Sequence, residues 1–130
     1  MPPRKPPLTP RERALQIIDG SMPESTLEGH VKALCGTYGA LYVHHRESRG
    51  TTPGWPDDVI IGPIRADGTC NVIIVELKAQ TGRIRPAQKD VMARLTAAGF
   101  DVRVWRPSDL RTGSIRTAIA ALSTTTGADK

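Results

Sequence analysis

Leu27, Val31 and Leu34 recur at intervals of four and three, which lines them along one face of a helix. Helical stretches of this kind share the chain with short β-branched runs. The sequence Thr9-Pro10-Arg11-Glu12 predicts the first helix, with a capping threonine, proline at the first helical position and a glutamate three residues after the cap. It should run to about Asp19 and stop at Gly20. The second helix has two candidate starts, Ser21 with Glu24 or Ser25 with Glu28, and should end near Gly36 or Gly39. Ala40 to His44 is short, apolar and aromatic, and reads as a first strand.

Arg46 to Pro56 holds too many turn formers for regular structure and is expected to be a loop. Val59-Ile60-Ile61 predicts a second strand, Asp67-Gly68 a hairpin turn, and Asn71 to Leu77 a third strand. After the basic loop Thr81 to Arg85, Pro86 opens a helix that turns Val91 and Leu95 inward and ends before Gly99. Asp101 to Trp105 alternates as a fourth strand, and Ile115, Ile119 and Leu122 mark a last helix. The order α, α, β, β, β, α, β, α predicts an α/β domain in which a mixed sheet is flanked by helices. Residues 1–8 form a Pro-rich basic arm, 9–122 the single domain and 123–130 a Ser/Thr-rich tail.

Composition narrows the partners. A chain of 130 residues with 38% hydrophobic and 24% charged positions can build one sizeable core, which excludes a disordered chain. Lys and Arg number 18 against 13 Asp and Glu, a formal +5 that favours an acidic partner such as nucleic acid. Cys35 and Cys70 lie far apart, with no neighbour at zinc-ligand spacing. The first ten residues lack an apolar stretch and no segment is long enough to span a bilayer, so a reducing, cytoplasmic setting without a membrane is expected.

Candidate chemistry gathers at two strand ends. Asp57 opens the second strand and Glu76-Leu77-Lys78 closes the third, where strand alternation puts Glu76 and Lys78 on one face and Leu77 on the other. Asp57, Glu76 and the Leu77 carbonyl offer the oxygen ligands that a hard cation such as Mg²⁺ prefers. Lys78 beside them can stabilise developing negative charge or orient and deprotonate a water. Each residue taken alone is an ordinary charged strand end. His44 and His45 occupy consecutive strand positions that face opposite ways, so one should pack while the other points towards the site or substrate. Arg46, Arg49, Arg83 and Arg85 fall on the two loops flanking the centre and suit phosphate contacts that are indifferent to sequence. Trp55, bracketed by Gly54 and Pro56, is expected to anchor its loop in preference to stacking on a base.

Spacing adds what single residues lack. Pro53-Gly54-Trp55-Pro56-Asp57, then Val75-Glu76-Leu77-Lys78, then Gly82 and Gln88, resemble the PD-(D/E)XK nuclease superfamily and within it the compact VRR-NUC branch, over about Glu24 to Trp105. The resemblance implies a restriction-endonuclease-like mixed β-sheet flanked by helices, with core order α-β-β-β-α-β. It also implies Mg²⁺ or Mn²⁺ on Asp57 and Glu76, catalysis by Lys78 and support from Gln88. A glutamate on the helix before the first strand completes the metal's surroundings in that family. Glu24 is assigned to it, with Glu28 on the same helical face as substitute. Glu24 equally fits a local role as capping partner of Ser21.

The activity so implied is a metal-dependent endodeoxyribonuclease, structure-selective, acting on branched DNA such as four-way junctions. A homodimer working in bacterial or phage-infected cytoplasm is implied with it. Flap or end processing and restriction-like cleavage are the alternatives among enzymes, and a non-catalytic DNA-binding module or a basic interaction protein the alternatives outside them. The chain departs from the family pattern at Asp58, where relatives usually carry an aliphatic residue. Alternation turns Asp58 away from the Asp57 side, towards solvent or an arginine, with a second metal contact as the alternative.

Overall fold

The computed structural model describes residues 2–44 and 53–124. The predicted cap at Thr9 forms in full: its hydroxyl accepts the Glu12 N–H at 3.1 Å and the Glu12 carboxylate accepts the Thr9 N–H at 2.7 Å. Helix α1 then runs Pro10–Gly20. Helix α2 (Glu24–Thr37) begins at neither predicted serine, because Pro23 occupies its cap and no side chain caps it. Ser21 instead closes α1, its hydroxyl donating to the Ile18 carbonyl at 2.7 Å. Proline has no N–H to satisfy and holds the fixed φ that leads into a helix, so the turn starts directly after it. Glu24 is thereby freed from capping.

Strands β1 (Leu41–His44), β2 (Asp58–Ile61), β3 (Val72–Leu77) and β4 (Asp101–Trp105) make one sheet in that spatial order. β1–β2 and β2–β3 pair antiparallel while β3–β4 pair parallel, which gives the mixed sheet expected from the element order. The parallel crossover is supplied by helix α3 (Pro86–Ala97). Two further helices follow, α4 (Pro107–Arg111) and α5 (Ser114–Ala121). α5 is the last helix that Ile115, Ile119 and Leu122 predict, whereas α4 is too short to show a period.

The core lies on one face of the sheet. Ile60, Ile73, Val75 and Leu77 point at Leu27, Val31 and Cys35 of α2 and at Ile115 and Ile119 of α5, all nearly inaccessible to water. Alternation sends Ile74 and Glu76 to the opposite face, where α3 lies and where Val91 and Leu95 are half-buried. A bidentate pair between Asp19 and Arg111, at 2.9 and 3.0 Å, ties α1 to α4. This is the restriction-endonuclease-like α/β arrangement that the sequence resemblance implies. Among the described residues no helix is long and apolar enough to cross a membrane.

Candidate active site

The antiparallel register Asp58↔Val75, continued one step, sets Asp57 opposite Glu76 just beyond the last rung of the ladder. Two hydrogen bonds extend the pairing there. The Asp57 N–H donates to Glu76 Oε2 at 3.1 Å, and the Leu77 N–H donates to Asp57 Oδ2 at 3.3 Å. Each carboxylate is thus held by the other strand's backbone, and β3 ends at Leu77. Lys78 follows, its N–H bonded to the Trp105 carbonyl at 3.0 Å and its Nζ 3.4 Å from Glu76 Oε1.

Glu76 is the most confined of the three, with only 2% of its surface exposed. Gln88 on the first turn of α3 donates Nε2 to Glu76 Oε1 at 2.6 Å while its Oε1 accepts the Arg85 N–H at 2.8 Å. The glutamine therefore spans helix start and carboxylate and fixes the Glu76 rotamer. Burial, and next the Asp57 charge, push the Glu76 carboxyl up to about 7, against the opposing pull of the Asp57 N–H and Lys78. Glu24, at the start of α2, has its carboxyl raised by burial and then by the Asp57 charge, with Lys78 acting in the other direction. The fold thus brings Glu24, Asp57, Glu76 and Lys78 within electrostatic reach of one another.

Asp58 is where the sequence expectation fails. It faces neither solvent nor an arginine but is fully buried on the core side of the sheet. The Tyr42 hydroxyl donates to its Oδ2 at 3.0 Å, and His44 Nδ1 lies 2.5 Å from its Oδ1. Burial raises the Asp58 carboxyl above its usual range while both hydrogen bonds resist that rise. His44 Nε2 in turn lies 3.5 Å from Glu28 Oε1. Glu28 and His44, considered earlier for the metal and the substrate, thus belong to a polar chain behind Asp57. Alternation correctly sends Asp58 away from Asp57, but on an edge pair whose other face is the core, "away" means inward. Tyr42 and His44 at alternate positions of β1 were the available signal, since a polar strand face needs a polar partner inside.

Two loops frame the carboxylates. Gly54 has φ +88°, and a side-chain carbon there would overlap the Ala87 carbonyl and lie 2.8 Å from the Gln88 nitrogen. Glycine is thus required for the motif loop to lie against the turn of α3 that carries Gln88. Pro56 is fully buried, whereas Trp55 remains 38% exposed and outside the core cluster. Gly54 and Pro56 fix the turn, with Trp55 partly covered between them. On the other side, Arg106 Nη1 donates to the carbonyls of Ala79, Gly82 and Gln80 at 2.7, 2.8 and 3.2 Å. Gln80 also binds Ser108 through both ends of its amide. This latch holds the loop that leaves Lys78, and nothing in the spacing of Arg106 announces it. Arg83 and Arg85 are exposed on that loop's descent into α3. His45, Arg46 and Arg49 lie outside the described residues.

All the donors at the centre are oxygens, and two of the carboxyls are held above their usual range partly by the Asp57 charge. A divalent cation relieves that repulsion, so the donor set suits a hard metal such as Mg²⁺ or Mn²⁺. Among the described residues no three Asp, Glu, His or Cys side chains are already drawn together at metal-holding spacing. The set at hand is therefore two carboxylates and the Leu77 carbonyl, with Glu24 able to approach. Compared with known proteins, residues 6–109 match the model of the VRR-NUC domain. No curated protein and no solved structure gives a match.

Proposed function

The chain belongs to the VRR-NUC domain family and is a nuclease domain that acts on DNA; from that premise we propose that it is a Mg²⁺- or Mn²⁺-dependent endodeoxyribonuclease with Asp57, Glu76 and Lys78 at its centre. The observation that carries this reading is the reciprocal bonding of Asp57 and Glu76 across the β2–β3 end with Lys78 at 3.4 Å. Asp57, Glu76 and the Leu77 carbonyl hold the cation, and Glu24 completes its surroundings. Glu28 is engaged with His44 and so is the weaker candidate for that place. When bound, the cation supplies Lewis-acid catalysis, withdrawing charge from the phosphoryl oxygen and acidifying water.

The protein's own residues do the rest. Lys78, on the Glu76 side of the strand end, as the ammonium places positive charge where the phosphorane becomes most negative, or as the neutral amine takes a proton from the attacking water. Gln88 keeps the Glu76 carboxylate turned towards the centre. Arg83 and Arg85, with Arg46 and Arg49, contact the phosphate backbone, so binding is salt-sensitive and substrate choice follows DNA shape. Branched DNA such as a four-way junction is the proposed target, cut by a homodimer whose two centres act on paired strands, in bacterial or phage-infected cytoplasm.

A panel of four-way junction, flap and linear duplex, each end-labelled and incubated with Mg²⁺ or Mn²⁺, tests the preference. Faster cleavage of the junction than of the others is expected. Equal rates on linear duplex, or cutting confined to flaps, would replace junction selectivity with restriction-like or end-processing activity. Retention of DNA without cleavage in either metal would point to a binding module.

A further inference from the structure

We propose that Trp55 is a stacking platform for an unpaired DNA base beside the scissile phosphate; this rests on the nuclease reading and adds what the site recognises. Trp55 keeps 38% of its surface open to water while Trp105 keeps only 4%, so part of Trp55 is available for contact where most tryptophan surface is covered. The residues on either side of it are fixed. Gly54 is locked against Ala87 and Gln88 at φ +88°, and Pro56 is buried on the other side. An exposed aromatic on a rigid support is pre-organised for contact, because little freedom is lost when a ligand arrives.

Position identifies the ligand. Trp55 is two residues from Asp57, so a nucleotide stacked on it adjoins the phosphate presented to the carboxylates. Arg83 and Arg85, both exposed, border the same turn of α3 and can hold that nucleotide's phosphates. Phe100, at 49%, is also exposed but precedes β4 and therefore lies at the opposite end of the sheet from the centre. An indole face needs a free base face. Inside a duplex both faces of each base are covered by its neighbours, so only nucleotides left unpaired in a flap or tail, or opened at a branch point, can stack on Trp55. The platform selects for unpaired nucleotides without reading their sequence.

The test is binding in EDTA, where no cleavage occurs, using a labelled duplex with an oligo-thymidine tail and the same duplex fully paired with blunt ends. Wild type, Trp55→Ala and Trp55→Phe are compared by anisotropy, and wild type by tryptophan emission, with thermal melts to establish folding. Trp55→Ala should weaken the tailed DNA about 10-fold and the blunt duplex by less than about two-fold, with Trp55→Phe near wild type. Emission of the wild type should be quenched by the tailed DNA only. Equal affinity of Trp55→Ala and wild type for the tail, or equal losses on both DNAs, would overturn the platform and leave the nuclease reading standing. Failure of wild type to bind the tailed DNA would likewise overturn the platform, while the nuclease reading stands or falls on cleavage in Mg²⁺ or Mn²⁺.

Discussion

Asp57→Asn tests the electrostatics of the centre without disturbing its geometry. The asparagine keeps an oxygen to accept the Leu77 N–H and keeps the backbone N–H that donates to Glu76. It removes only the charge. In the wild type, Glu76 is raised from 4.5 to about 7, which opposes its ionisation by about 3 kcal/mol. Burial is the larger cause and the Asp57 charge the next, so removing that charge returns part of the cost, about 1.4 kcal/mol for each pH unit by which the carboxyl falls. The unfolded chain ionises Glu76 near 4.5 and the folded chain near 7, so the native state binds more protons between those values. Stability from this group is therefore present at low pH and lost as pH rises through about 7. Thermal unfolding in EDTA should show Asp57→Asn melting about 3–5 °C above wild type near pH 8, with the gain shrinking towards pH 5. Mg²⁺ or Mn²⁺ should raise the melting temperature of wild type only. An Asp57→Asn protein no more stable than wild type at pH 8, or stabilised by metal to the same degree, would refute the reasoning.

Three other substitutions probe the supports of the site. Asp58→Val strands the Tyr42 hydroxyl and the His44 imidazole in the core and should cost about 2–3 kcal/mol in urea unfolding, with Asp58→Asn costing less. A fully stable Asp58→Val would show that the polar chain contributes nothing. Gly54→Ala forces a side chain into the Ala87 carbonyl at positive φ, so a destabilisation of about 2 kcal/mol or more is expected, together with loss of cleavage as Gln88 shifts. Arg106→Ala releases three carbonyls of the loop after Lys78 and should lower stability by about 2 kcal/mol and slow turnover, whereas retention of both would dismiss the latch.

Much of the fold could be read in advance because local signals and packing agree. β4 occupies Asp101–Trp105 as its alternation indicates, and Thr9 caps α1 as its spacing requires. Asp57 and Glu76 were legible because adjacent antiparallel strands leave few ways to arrange a carboxylate at the start of one and the end of the next. The start of α2 was not, since two serines satisfied the same rule and Pro23 outcompeted both. Asp58 was misread because alternation gives a face but not what covers it, and that depends on α2 and on Tyr42 and His44 across the ladder. Trp55, set between the same rigid residues, keeps 38% of its surface exposed, a degree of exposure that its flanking residues do not encode. Arg106 and Gln80 act through contacts that join segments about 25 residues apart or more, which no local pattern encodes.

Cleavage of a labelled four-way junction in Mg²⁺ and in Mn²⁺ by wild type, Asp57→Ala and Lys78→Ala is the most direct test of the proposed centre. Wild type should cut, and each variant should lose activity by about 100-fold or more while still retaining the DNA at low salt. Three proteins that cut at the same rate would mean that the chemistry happens elsewhere.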